Sequence, residues 1–381
     1  MKRMRSLLMM FLMLFAYGSA QVLVAQDLYY DLKVEKTVAT TDSKDLQRIN
    51  SCWSNTGTAL IEAEMIRSGK GTYDLAEMDF IHNAYLLKAQ AYLDSKGKVQ
   101  VTEKGLPIDV FKLVDEYGMA PESAYMKSDM NTMDKQSGEM DAIIRGTLRR
   151  ALDQGETSLT DRYQNYVDAA LSKHIGDTKM QFKYEGKDYT PESFAEQSAI
   201  NSSDYIMLTA DNREEHHMPF VLGLKQNWDN DHFYNVHSNE LYRAIKDAIE
   251  MDYVVGWYGF LDGEMIYEDE AVGLVPLDRM PGEGEGDKEA TMSDQPVPEI
   301  TITDKKRQEN FEVLVGGTYN YMTLFGISID SQGNKYLVGK DACSEGNKEL
   351  NMSKAFTELN TIYVLLNKNG LSKELRNKLG L

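Results

Sequence analysis

The stretch Asn50-Ser51-Cys52-Trp53-Ser54 is the most informative part of the chain for its fold. Asn50 or Ser51 is a candidate N-cap, and the apolar spacing that follows predicts a helix from Cys52 to about Ser68. Cys52 is one of two cysteines in the chain. In the first turn of a helix, free backbone N–H groups and the helix dipole favour the thiolate form of such a residue. The alternative is a small buried thiol that only packs.

Residues 1–26 have the composition of a secretory targeting segment. A basic start precedes an apolar run at 7–15 and small residues that allow cleavage after Ala20 or Ala25. The basic residues are Lys2, Arg3 and Arg5. We therefore expect an exported protein, periplasmic or secreted. No later stretch is apolar for long enough to cross a bilayer, so we expect no stable membrane insertion.

The net charge of the chain is strongly negative, at −19. Cleavage at either site changes it to −22, because three basic residues and no acidic residue are removed. A protein that binds nucleic acid needs a basic face, so we expect no nucleic-acid partner. The same charge opposes docking on anionic lipid, and solubility is the simplest interpretation of it.

The hydrophobic period changes near the middle of residues 27–381, which we expect to form one two-lobed unit. Helices are expected at about 52–204, including one that begins with Asp74 and Glu77 as a capping pair and another at about 108–117. Strands dominate 205–381, with a helix at about 239–251 capped by Ser238 and a flexible acidic loop at 279–298. A helical lobe with the thiol, followed by a β lobe, predicts a two-lobed α+β protein with a cleft.

Several motifs resemble the bleomycin hydrolase and aminopeptidase C branch of the papain-like cysteine peptidases. The first is Ser-Cys-Trp-Ser at 51–54, which resembles the nucleophile motif. Others are Gly-Met-Ala-Pro-Glu-Ser-Ala-Tyr at 118–125, Tyr-Thr-Pro at 189–191 after Gly-Lys at 186–187, and His-His-x-Pro-Phe at 216–220. The resemblance covers roughly 30–381. It implies a papain-like fold, with a β-barrel-like second lobe, and hydrolysis of N-terminal residues from peptides.

The resemblance also implies the parts of the active site and the kind of assembly. The chain order is a cysteine, then a histidine, then an asparagine, with the last two in the β lobe. No cofactor or metal is implied, and the partners are peptides or a protein in the cleft. The family forms closed homo-oligomers, and its C-terminal segment, here 371–381, lies along the cleft.

The residues that carry the chemistry depart from this pattern. Asn320 occupies the histidine position and Asp341 occupies the asparagine position, while Cys343 replaces the tryptophan that covers them. Leu46 stands where the oxyanion glutamine is expected, with Gln47 one residue out of register. The side chain of Asn320 has no titratable base near neutral pH. Loss of the base in a related acyl-transfer system costs a factor of about 10⁶ in turnover.

The histidines of the chain are the candidates for a replacement base and for metal ligands. The chain has six histidines, and none follows His237. The pair His216-His217 is the best candidate base, but a structural pair is the simpler interpretation. Metal binding by His216, His217, Asp231 and His232 has no supporting ligand spacing, so we expect no metal site.

Export would make a Cys52–Cys343 disulfide chemically possible. The resemblance places Cys343 near the catalytic pair. A cysteine is much smaller than the tryptophan it replaces, so a wide gap would separate its sulfur from that of Cys52. We therefore expect two separate buried thiols. The sequence as a whole predicts a catalytically impaired homologue that binds a peptide or a partner. The alternative is an active exported aminopeptidase that works through Cys52.

Overall fold

The computed structural model describes residues 31–44, 52–127, 133–178, 180–198, 200–268, 271–277, 296–315, 317, 320–343 and 347–381. The predicted targeting segment at 1–26 lies outside the described residues, and so do Leu46, Gln47 and most of the predicted acidic loop. Within the described part, no helix is both long and apolar enough to cross a membrane.

Helices form most of the first half of the described chain. They are α1 (Cys52–Arg67), α2 (Glu77–Asp94), α3 (Pro107–Tyr117), α4 (Met133–Asp153), α5 (Asp161–His174) and the short α6 (Pro191–Ala195). Two small antiparallel pairs accompany them: β2 (Tyr125–Lys127) with β3 (Gly176–Thr178), and β4 (Phe182–Tyr184) with β5 (Lys187–Tyr189). The predicted helical lobe is therefore present, with two hairpin-like additions.

One large sheet, with eleven strands among the described residues, dominates the second half. Its strands are β1 (Lys33–Thr37), β6 (Tyr205–Thr209), β7 (Pro219–Val221), β8 (His232–Asn235), β9 (Val255–Gly259), β10 (Ile266–Tyr267), β11 (Val272–Gly273), β12 (Asn320–Ile329), β13 (Lys335–Asp341), β14 (Glu349–Met352) and β15 (Thr361–Asn367). Their order is β10-β11-β14-β13-β12-β9-β15-β6-β8-β7, and β1 pairs with β12. The described pairings thus form a path with two ends.

The N-terminal strand β1 belongs to the sheet although it precedes the helical half. It pairs antiparallel with the last part of β12, from Gly326 to Ile329, whereas β9 pairs with the first part, from Asn320 to Leu324. β12 serves both neighbours because it is ten residues long and carries a register shift between Leu324 and Gly326. The division of the sequence into a helical and then a β segment did not predict this crossing.

Four further helices lie within the β half: α7 (Ser238–Glu250), α8 (Asp304–Leu314), α9 (Lys354–Asn360) and α10 (Lys373–Leu379). Short 3₁₀ turns occur at Glu122–Ala124, Ser202–Asp204, Gly263–Met265 and Lys368–Gly370. The C-terminal helix α10 buries Leu375 and Leu379, and Lys378 Nζ lies 2.9 Å from a carboxylate oxygen of Glu240 on α7. This ion pair connects the tail with α7.

The first helix α1 is the packing centre of the helical half. Eleven of its sixteen residues are buried. Gly57 allows close contact with α3, because a Cβ there would lie 2.4 Å from Val110 Cγ2. Buried apolar residues of α1, of the other helices and of the sheet form one continuous core. This shared core holds the start of α1 against the sheet.

Two predicted helix caps are wrong. α2 begins at Glu77 with Ala76 as its N-cap, and Asp74 instead forms an ion pair with Lys44, at 2.5 Å. α7 begins at Ser238 with His237 as its N-cap, and Ser238 Oγ instead donates to Asp304 Oδ1 at 3.1 Å. In both places a tertiary contact takes the side chain that the local pattern assigned to the cap.

Candidate functional site

A disulfide joins Cys52 to Cys343, with the two Cα atoms 5.5 Å apart and a sequence separation of 291. Cys52 is the first residue of α1, and Cys343 lies in the turn after β13. Both side chains are half-buried. The expectation of two separate thiols is therefore wrong, and the nucleophile position of the resemblance is occupied by a covalent bond.

The turn that carries Cys343 is held against α1, which explains why the expected gap does not exist. Asp341 Oδ1 accepts a hydrogen bond from the Cys343 backbone N–H at 2.8 Å. Asn55 Nδ2 donates to the Ala342 carbonyl at 2.9 Å and lies 3.8 Å from Cys343 Sγ. The backbone itself moves close to the helix, so a small side chain can reach Cys52. We call Cys52, Asn55, Asp341, Ala342 and Cys343 the bridge region.

Asn320 lies at the start of β12, close to the bridge region along the backbone. The carbonyl of the next residue, Tyr321, accepts a hydrogen bond from the Ala342 N–H at 2.9 Å. Asp341 pairs with Met322 in the register of β12 and β13. The structure thus brings the backbones of Asn320, Asp341 and Cys52 into one area. Asn320 has an amide at the position where the resemblance implies a histidine, and the Asp341 carboxylate binds the turn.

The six histidines have their described contacts elsewhere in the protein. His82 contacts the Gly176 carbonyl, His174 contacts the Ala170 carbonyl, and His232 is exposed on β8. The remaining three form a group of their own. Among the described residues, none of these histidine contacts involves Cys52.

His216, His217 and His237 lie together at the start of α7, and with Glu240 and Asp304 we call them the histidine cluster. The rings of His216 and His237 stack with centroids 3.8 Å apart. His217 Nε2 lies 2.7 Å from Glu240, and His237 Nδ1 lies 3.4 Å from Asp304. The imidazoles are therefore partnered with one another and with carboxylates.

The electrostatics of the histidine cluster favour neutral His216 and ionised Glu240. Burial, followed by repulsion from His237, lowers the pKa of His216 below 6.5. Burial tends to raise the pKa of Glu240, but hydrogen bonds from Lys378, His217 and the His237 backbone outweigh it and lower that pKa to about 2.

The metal ligands considered from the sequence do not come together. Asp231 forms an ion pair with Lys112 at 2.6 Å, whereas His216 stacks on His237. Among the residues that the structure describes, no group of three or more His, Cys, Asp or Glu side chains is arranged to hold a metal ion.

A buried charge cluster, missed by the sequence analysis, lies beside the bridge region. Lys44 Nζ donates to the Leu75 carbonyl at 2.9 Å and forms ion pairs with Glu62, Glu77 and Asp74. Burial raises the pKa of Glu77 to about 8 and also raises the pKa of Glu62, although Lys44 opposes both shifts. Three acids surround one ammonium group, so this cluster ties the segment at 41–44 to α1 and α2.

Direct contacts also cross from the helical half to the sheet half beyond the bridge. Tyr321 Oη donates to the Gly105 carbonyl at 3.2 Å, and Trp228 Nε1 donates to Asp109 Oδ2 at 3.0 Å. Lys112 on α3 forms ion pairs with Asp229 and Asp231, both at 2.6 Å. We call these contacts the inter-lobe seam.

Buried charges on the helical side of the seam have strongly shifted pKa values. Burial raises the pKa of Asp109 to about 6, although Lys88 and Lys112 oppose the shift. Burial lowers the pKa of Lys88 to about 8. Lys88 Nζ donates to the Thr102 carbonyl at 2.9 Å and lies 5.8 Å from the ring centre of Trp53. These groups hold the loop before α3. The Gly105 carbonyl in that loop accepts the hydrogen bond from Tyr321.

Comparison with solved structures identifies the fold. The chain superposes on PepW from Lactobacillus rhamnosis HN001 with a TM-score of 0.64 and 13% sequence identity, over 91% of this chain and 84% of that chain. The chain has a papain-like fold. The predicted α+β, two-lobed architecture and the resemblance to the papain-like branch are confirmed at the level of fold. No family model matches the sequence, and no curated protein matches it significantly.

Two further papain-like structures align less closely. Procathepsin L 3 of Tenebrio molitor larval midgut aligns with a TM-score of 0.37 and 12% identity, over 86% of this chain and 66% of that chain. The bromelain protease of Ananas comosus aligns with a TM-score of 0.34 and 12% identity, over 86% and 93% of the two chains. Scores at this level add nothing to the assignment of fold.

The sequence pattern pointed to Cys52, Asn320 and Asp341 but not to the residues that connect them. Asn55 is one of them, because its amide holds the turn of Cys343. The signal for this contact is an amide at a buried position of a helix, because a buried polar group needs hydrogen-bond partners. No such signal exists for Tyr321, because tyrosine is common in β-strands and its presence there does not indicate a contact with the helical half.

Proposed function

We propose that this papain-like chain does not hydrolyse peptides and acts instead by binding a peptide or a protein partner. The observation that carries the proposal is the bond between Cys52 and Cys343. A thiol peptidase needs a free thiolate and an imidazole that holds it and protonates the leaving amine. The thiol is consumed here, and Asn320 offers only an amide.

Opening the bridge would not supply the missing parts. Asn320 cannot accept the thiol proton at neutral pH, and the Asp341 carboxylate binds the Cys343 N–H at 2.8 Å. Loss of the base alone costs a factor of about 10⁶ in a related system. We therefore expect that reduction, or the single change Asn320→His, leaves the chain without measurable turnover.

Export of the protein is part of the proposal. A disulfide forms and persists in an oxidising compartment such as the periplasm or the extracellular space. The composition of residues 1–26 favours that destination.

A cavity in the helical half offers a place for a bound peptide. Its volume is about 870 Å³, within the usual range for ligand sites. Aromatic and hydroxyl side chains line it, among them Phe182, Tyr189 and Ser193. Lys183 also lines it, whereas Lys187 on the same hairpin is not part of the lining.

The catalytic part of the proposal is tested with purified protein and fluorogenic aminoacyl substrates, with and without reductant. Cys343→Ser leaves Cys52 as a permanently free thiol, and Cys52→Ser is its matched control. We expect no difference between the two variants. Turnover by Cys343→Ser that Cys52→Ser lacks would establish the alternative, an active aminopeptidase.

The binding part is tested by mixing the protein with a peptide digest and analysing the complex after gel filtration. We expect peptides of unchanged length to elute with the protein. The variant Lys183→Glu should weaken their retention, and Lys187→Glu should not. Absence of retained peptide would reject peptide binding, and equal effects of the two variants would reject this cavity as its place.

A further inference from the structure

The bridge between Cys52 and Cys343 has the features of a disulfide that exchanges with thiols. Exchange requires a sulfur that an external thiolate can approach and a second sulfur that leaves as a stabilised thiolate. Both cysteines are half-buried rather than enclosed in the core. Partial exposure of both residues is the condition for a small thiol to approach the bond while the protein remains folded.

The surroundings of the two sulfurs differ in how well they stabilise a thiolate. Cys52 is the first residue of the sixteen-residue helix α1, where the helix dipole and N–H groups without intrahelical partners favour negative charge. Cys343 lies two residues after Asp341, whose carboxylate binds its backbone N–H. A negative charge so close to Cys343 disfavours a second one. Cys52 is therefore the better leaving group.

A second observation indicates polar space beside the bridge. Asn55 is 5% exposed, and its Oδ1 has no hydrogen-bond partner among the described residues although its Nδ2 lies 3.8 Å from Cys343 Sγ. Asn55 and Ala342 both line a small polar cavity at this point. Because this oxygen is buried, it becomes an acceptor for a thiol with a peptide-like N–H only when the turn of Cys343 shifts away from α1.

We propose that the bridge is a thiol-exchange site, at which the thiolate of a small thiol attacks Cys343 Sγ. The bond between the sulfurs of Cys52 and Cys343 breaks, and its electron pair leaves on Cys52 as a thiolate. A mixed disulfide forms at Cys343. A second thiolate then attacks the sulfur of the bound thiol, releasing Cys343 as a thiolate. In total, two thiols are oxidised to one disulfide and the bridge gains two electrons.

Exchange at this position changes the connection between the two halves of the protein. The bridge is the covalent link between α1 and the turn after β13. After it opens, only non-covalent contacts connect the two halves, among them those of Asn55 and of the inter-lobe seam. The exchange does not depend on peptidase activity or on peptide binding. Its failure would therefore leave the proposed function in place.

The experiment uses glutathione as the thiol and the full-length folded protein without denaturant. Samples are quenched with an alkylating reagent, digested and analysed by mass spectrometry. We expect opening of the bridge in the folded protein, with the first glutathione adduct on Cys343 and the alkyl group on Cys52. A bridge that opens only in denaturant, or a first adduct on Cys52, would overturn the proposal.

Two charge variants test the direction of attack. Asp341→Asn keeps an oxygen acceptor for the Cys343 N–H and removes the negative charge that repels the incoming thiolate. We expect adduct formation to accelerate roughly threefold to fivefold, as for one charge removed at a few ångströms in water. Glu309→Gln makes the same change of charge on the exposed face of α8 and should leave the rate within a factor of about two. Equal rates in both variants would contradict attack at Cys343.

Discussion

The bridge region and the histidine cluster contain the two chemical parts of a thiol peptidase, but in different places. The bridge region holds the cysteine at the start of α1, bonded to Cys343 and surrounded by an amide and a carboxylate. The histidine cluster holds three imidazoles, which contact one another, Glu240 and Asp304. Catalysis needs thiol and imidazole within hydrogen-bond reach. The comparison teaches that this papain-like fold holds its cysteine in a disulfide and its clustered imidazoles elsewhere.

The largest expected effect is on the bridge region. Cys343→Ser removes the cross-link and should lower the free energy of unfolding by about 2–5 kcal/mol, because the unfolded chain is no longer constrained. Urea unfolding without reductant measures the change. Cys52→Ser should lose the same amount, and reductant should remove most of the difference between wild type and either variant. Equal stability of wild type and both variants would show that the bridge does not hold the halves together.

The next effect concerns the amide that positions the bridge. Asn55→Ala leaves the carbonyls of Ala342 and Lys44 without this donor, at an expected cost of about 1–3 kcal/mol. Asn83→Ala is a matched control, since that amide bonds Asp79 within the same helix. The loss for Asn55 should persist under reducing conditions, where the disulfide no longer contributes. A loss no greater than that of the control would contradict the role of Asn55.

A smaller effect is expected at the inter-lobe seam. Tyr321→Phe removes one hydroxyl, which donates to the Gly105 carbonyl at 3.2 Å, and keeps the ring. We expect a loss of about 1 kcal/mol, the typical net contribution of a hydrogen bond. Tyr166→Phe on the exposed surface of α5 serves as the control and should be neutral. If both variants have the same stability, this seam contact is unimportant.

How much of this could be predicted from the sequence depends on the range of each contact. The cysteine at the start of a helix and the strands around Asn320 and Asp341 follow from local patterns and motifs. The bridge does not, because it depends on the backbone path of the turn after β13, which Asn55 fixes from 288 residues away. Local patterns do not report contacts between residues that are distant in sequence. For that reason the contact of His237 with His216 and the acids around Lys44 could not be predicted.

The smallest expected effect is the pH dependence of the histidine cluster. The pKa of His216 in the folded protein is lowered below its value in the unfolded chain, so its contribution to stability is present above pH 6.5 and is lost as the pH falls through the folded value. The contribution of Glu240 is lost only as the pH falls from about 4.5 toward 2. Between pH 7.5 and 5.5, His216 should therefore dominate among these two groups.

Urea midpoints at those two pH values test this prediction. His216→Phe keeps a ring beside His237 and removes the titrating group, so its midpoint should fall less on acidification than that of wild type. Cys343→Ser changes the bridge region alone and should leave the pH dependence as in wild type. An unchanged slope for His216→Phe would remove His216 as its source.

The number of free thiols in the native protein tests the central claim most directly. The protein is purified without reductant, unfolded in denaturant with a thiol-reactive mass tag, and weighed by mass spectrometry. The structure predicts no tag on either cysteine before reduction, and two tags per chain after it, because Cys52 and Cys343 share one bond. Two tags on the unreduced protein would contradict the bridge and leave Cys52 as a free nucleophile.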